Sequence, residues 1–140
     1  MSLTLSYFLP KPYYFKDRDV RPLFKSDIRS CDIDTDKIVS LAKFGQRSSK
    51  SGNIYTMTIE LGTIENITST TNVKVHCTCP NFKFQCASLL WKYEALYGDI
   101  EDRRLPKKQT KPFVCKHLYS AILLLNKLNT VSALKQIAGD

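Results

Sequence analysis

Five cysteines and two histidines are the residues of this sequence most able to bind a metal or act as nucleophiles. Four of them fall in two short pairs, Cys77-Thr78-Cys79 and Cys115-Lys116-His117, with 35 residues between the pairs. Thiolate and imidazole are the ligands a borderline-soft divalent ion prefers, and two pairs brought from separate elements can close a four-ligand tetrahedral site of the kind zinc adopts. The spacing therefore predicts one structural Zn2+ held by Cys77, Cys79, Cys115 and His117. The competing reading is a set of buried structural thiols, since cysteine is often simply interior. A disulfide framework does not fit, because an odd number of cysteines cannot pair completely and residues 1–12 carry neither the basic start nor the small-residue cleavage site of a secretory signal. An intracellular setting is expected.

The elements that must position these side chains are legible from periodicity. Tyr55, Met57, Ile59 and Leu61 alternate with Thr56, Thr58 and Glu60, the period of a strand buried on one face. In the next run Val73, Val75, Cys77 and Cys79 share one face while Lys74, His76 and Thr78 take the other, so both thiols of the first pair point to the core side. The second pair needs different geometry. Within a regular helix, residues two apart diverge by about 200°, so Cys115 belongs in the entry or first turn, with His117 just inside. Val114, Leu118, Ala121, Leu125 and Leu128 form the apolar stripe of that helix, and Thr130 can cap a last helix carrying Val131, Leu134 and Ile137. Pro80 opens another helix with Phe82, Cys86, Leu89, Tyr93 and Leu96 on one face. Asp34 or Thr35 is expected to cap a short helix through Phe44, with Gly45 as its stop.

The fold class expected is α+β, a small antiparallel strand pair packed with three to four helices around the zinc site. Residues 1–33 read as an irregular aromatic and basic arm, and residues 34–140 as the zinc-binding domain, with its core at 54–128. The arm's aromatics, Tyr13, Tyr14, Phe15 and Phe24 among them, suit contact with a protein partner. Cys86 shares an apolar stripe and reads as a core thiol, His76 has the wrong strand parity to be a ligand, and Cys31 has no partner visible in sequence.

A net charge of +8 favours polyanionic or acidic partners. Residues 103–117 hold six cations and no acid, namely Arg103, Arg104, Lys107, Lys108, Lys111 and Lys116. They could follow a nucleic-acid backbone without reading its sequence, or be plain solvated surface. No HExxH, glycine-rich phosphate loop or GxSxG occurs, and a zinc closed by four side chains leaves no position for a reacting water, so no enzyme and no small-molecule substrate are expected. The longest uninterrupted apolar run, residues 121–125, is far too short to cross a bilayer.

The CxC pair followed by CxH resembles the SWIM-type zinc finger, a hairpin followed by a helix, over about residues 54–127. By that resemblance Cys77, Cys79, Cys115 and His117 are the ligands, and Leu118 and Ile122 anchor the helix. The spacer is longer than in cellular members and holds a predicted helix of its own. The wording CTCPNF with VCKHL is similar to the long-spacer SWIM proteins of tailed bacteriophages, which implies a virion structural or assembly role, with other virion proteins and possibly DNA as partners, in host cytoplasm or particle.

Overall fold

The computed structural model describes residues 3–10, 20–47, 51–100, 105 and 111–139. Its centre is one five-stranded antiparallel sheet in the order β1-β5-β4-β3-β2. The strands are β1 (Leu3–Thr4), β2 (Ile28–Asp34), β3 (Val39–Arg47), β4 (Ile54–Leu61) and β5 (Asn72–Cys77). Helices α1 (Leu5–Phe8), α2 (Ala87–Lys92), α3 (Lys116–Leu128) and α4 (Val131–Gly139) accompany it. The class is α+β as expected, but the sheet has five strands rather than two.

The alternation read for β4 and β5 holds: Met57, Ile59, Leu61, Val73, Val75 and Cys77 are all buried. With Ala42 and Phe44 of β3 they form the inner face. Leu118, Ile122 and Leu125 of α3 and Leu134 of α4, each fully buried, complete the core. Each such aliphatic side chain contributes about 1.5–3 kcal/mol by leaving water.

Residues 34–44 do not form a helix. Asp34 Oδ1 accepts from the N–H of Asp36 at 3.1 Å and of Lys37 at 3.2 Å. This closes a turn, with Ile38 at φ +54°, and β3 runs back along β2. Ile38, Leu41 and Ala42 satisfy a helical spacing, yet burial follows period two, with Ser40, Ala42 and Phe44 inside. A helix of that length is marginal by itself. β3 instead pairs with β4 from Ser40↔Leu61 to Arg47↔Ile54, and that ladder decides the outcome. Gly45 is accordingly not a helix stop. It lies within β3 beneath the Arg29 side chain, where an added Cβ would stand 2.8 Å from Arg29 Nε. Arg29 itself sits at a bulge between Ile28 and Ser30.

Residues 1–33 are not wholly irregular. β1 pairs with β5, and a boundary after residue 33 cuts through β2. Leu5, Phe8 and Leu23 are buried in this chain's own core. Tyr13, Tyr14 and Phe15 lie outside the described residues, and Phe24 is 78% exposed.

The helix after Pro80 is also shorter than its stripe. A π-helical turn (Phe82–Cys86) leads into α2, which ends at Lys92, and Glu94 takes φ +59°. Leu96 then bridges Val75, with Val75 N–H donating to the Ala95 carbonyl at 2.9 Å and Tyr97 N–H to the Val75 carbonyl at 3.0 Å. The edge of β5 would otherwise leave those groups unpaired, a larger cost than ending a helix one turn early. α3 and α4 match expectation: Asn129 ends α3 at φ +52°, and Thr130 Oγ1 accepts from Ala133 N–H at 3.2 Å. Among the described residues no helix is long and apolar enough to cross a membrane.

Candidate metal centre

The ligand pairs meet where β5 ends and α3 begins. Met57 pairs with Cys77, and two bonds continue the register past the strand: Thr78 N–H to the Thr56 carbonyl at 3.1 Å, and Thr56 N–H to Thr78 Oγ1 at 2.9 Å. They hold Thr78 outward, so Cys77 and Cys79 both turn inward, each 2% exposed. The chain then bends at Cys79-Pro80, where Phe82 N–H donates to Cys79 Sγ at 3.4 Å and Lys83 N–H to the Cys79 carbonyl at 3.3 Å.

Cys115 is the N-cap of α3, with φ −71° and ψ 167°, and its carbonyl accepts from Tyr119 N–H at 3.0 Å. The thiol therefore leaves from extended backbone and the imidazole from the second helical residue, which lets a CxH pair converge. The entry is tied down from the N-terminal segment: Tyr7 OH donates to the Pro112 carbonyl at 2.6 Å, and Tyr119 OH to the Leu9 carbonyl at 2.9 Å.

The ligand atoms of Cys77, Cys79, Cys115 and His117 all lie within 4.8 Å of one another, so the group can hold a metal ion. His117 Nδ1 is buried without a hydrogen-bond partner. An orphaned buried nitrogen costs about 1–3 kcal/mol. The His117 ring lies 5.1 Å from that of Tyr55, at an interplanar angle of 54°.

The protons tell the same story. Cys79 is held far below the usual thiol range, because Cys115 and then Cys77 donate hydrogen bonds to it. Cys77 is pushed up to about 12: the bond from Cys115 pulls it down, but the bond it donates to Cys79 and its burial outweigh that. Cys115 is raised well above its ordinary value by donating to Cys77 and Cys79 and by burial. Three thiolates this close repel one another, and a divalent cation is what allows all three to ionise.

Cys86 is fully buried and outside the ligand group, and burial, followed by the nearby Cys79 and Cys77, keeps its thiol protonated. His76 is likewise no part of the group. Its ring meets Phe82 edge-on at 5.4 Å, and burial lowers its pKa. Cys31 is buried on β2 as a free thiol. Of the basic segment, Lys111 and Lys116 are exposed, while Arg103, Arg104, Lys107 and Lys108 lie outside the described residues.

Sequence reasoning missed the supports: Tyr55, whose inward parity was its signal, and Tyr7 with the Thr56–Thr78 pair, which have no sequence signal because they depend on register. It also missed a pocket of about 450 Å3 at the end of β5, lined by His76, Cys77 and Thr78 and by the turn carrying Phe82, Lys83 and Phe84. Comparison of the chain with protein-family models, with curated proteins and with solved structures found no match.

Proposed function

We propose that this chain is a non-enzymatic adaptor whose fold is locked by one structural Zn2+, and that it serves as a virion structural or assembly component of a tailed phage through protein contacts. The observation that carries the zinc reading is the convergence of three buried cysteines and His117 within 4.8 Å. Three thiolates and one imidazole match zinc in number and softness. Catalytic zinc sites keep a position for water, whereas four protein ligands would leave none here, which supports a structural ion.

The ion's work is mechanical. It ties the end of β5 to the start of α3 across the 35-residue spacer. Apparent zinc-binding energies of about 10–16 kcal/mol rival a domain's whole stability of about 5–15 kcal/mol. The phage assignment is supported by the resemblance of CTCPNF and VCKHL to long-spacer SWIM proteins. Tyr13, Tyr14, Phe15 and Phe24 are the anchors toward a protein partner, and the exposure of Phe24 beside buried Leu23 supports that placement.

A second reading, nonspecific nucleic-acid binding through Arg103, Arg104, Lys107, Lys108, Lys111 and Lys116, is favoured by the exposure of Lys111 and Lys116 on either side of Cys115. The test of the adaptor reading is particle incorporation. Zinc-loaded chain should enter assembled particles, and Phe24→Ala combined with Tyr13→Ala and Tyr14→Ala should lower its copy number without lowering its zinc content. Unchanged incorporation, or no presence in particles, would contradict it.

A further inference from the structure

The sheet has two faces, and α3 and α4 cover the inner one. The outer face carries side chains of opposite parity. Register places Ser30, Lys43, Thr58 and His76 in one row across β2, β3, β4 and β5, and Gly45, Thr56 and Thr78 in the next row toward the metal end. With strands about 4.8 Å apart, the first row spans roughly 14 Å.

His76 and Thr78 also line the 450 Å3 pocket, so both rows end at it. Cations border the face: Lys43 and Arg47 are exposed, and Arg29 lies over Gly45. On the pocket's far wall stand Lys83, whose Nζ is 5.6 Å from the Phe84 ring centre, and Phe84, 72% exposed. The acids of this face sit further from the metal end, Asp32 and Glu60 by one row, with Glu60 opposite Lys74, and Asp34 by two, and Asp99 lies at the pocket.

The geometry points to a binding site for single-stranded nucleic acid, with the strand's phosphates on Lys43, Arg47 and Lys83 and one unstacked base in the pocket against Phe84. Each part follows from the chemistry of the ligand. Thr58 is buried, but the exposed Thr56 and Thr78, bordered by Lys43 and Arg47, suit a phosphate–sugar backbone. An exposed aromatic ring beside a pocket within the 300–1,000 Å3 range of ligand sites suits a flat base. A duplex keeps its bases stacked inside and cannot offer one, whereas open sheets bearing aromatics take unstacked bases readily. The site is separate from residues 103–117 and depends on neither reading given above.

The test is fluorescence anisotropy of the zinc-loaded full chain with labelled oligo(dT) and oligo(rU) of about 15 nucleotides, and with a duplex of equal length. Binding of either single strand in preference to duplex supports the site, and the tighter of the two assigns the sugar. Phe84→Ala should weaken binding at least about fivefold, the loss of one stacked base. Lys43→Gln with Arg47→Gln and Lys83→Gln should reduce the slope of log affinity against log salt by about 2. Zinc content and far-UV circular dichroism confirm folding of each variant. Lys111→Gln with Lys116→Gln should bind within about twofold of wild type. The proposal is overturned by absence of binding at about 50 mM salt, by preference for duplex, by wild-type affinity in Phe84→Ala, or by loss confined to the Lys111 and Lys116 variant.

Discussion

The two ends of α3 are held in place by different physics. At its start, Cys115 and His117 join Cys77 and Cys79 in a cluster able to hold a metal ion. At its end, about 20 Å away along a 13-residue helix, the chain turns at Asn129 into α4. There it is held by apolar contacts against β2, with fully buried Val131 and Leu134, and by the Thr130 cap. The first end is a few strong interactions that fail together; the second is many weak ones that fail singly. On the proposed reading, one module contains a joint that a metal would lock and a joint that needs none.

That difference sets the order of expected effects. Chelation of the metal should be the largest. A strong chelator should lower the thermal midpoint by tens of degrees and cost helical signal from α3, since a zinc-binding energy of about 10 kcal/mol is comparable to a domain's whole stability. Circular dichroism with and without added zinc checks this, and unfolding that is indifferent to chelator would erase the contrast. Leu134→Ala at the other end should cost about 2–5 kcal/mol in denaturant unfolding, while the zinc content stays that of the wild type. A drop in zinc would mean the two ends are one cooperative unit.

Much of this contrast was legible in sequence, and what was not has a physical reason. The CxC and CxH pairs, the extended entry to α3 and the Thr130 cap are local signals, each set by a few neighbouring residues. β3 was not legible, because Ile38, Leu41 and Ala42 fit a helix as well as a strand and only pairing with β4 decides. β1 is two residues long and exists only because β5 presents an edge. The early end of α2 likewise answers to Val75, a residue distant in the chain. The support of Tyr7 on Pro112 spans 105 positions and leaves no periodic trace.

Smaller effects sharpen the comparison further. Cys86→Ser places a hydroxyl in a fully buried, apolar position beside the metal end and should cost about 1–3 kcal/mol of stability. Elemental analysis should nonetheless find zinc as in the wild type; a fall as deep as that of Cys115→Ser would make Cys86 a ligand. Thr130→Ala removes the side-chain oxygen that accepts from Ala133 N–H and should cost about 1 kcal/mol, read as a small shift in the denaturant midpoint with no change in zinc content.

X-ray absorption at the zinc edge of the purified 140-residue chain tests the metal centre most directly. The account predicts three sulfur neighbours near 2.3 Å and one nitrogen near 2.0–2.1 Å. A shell of four sulfurs, or one dominated by oxygen, would contradict it.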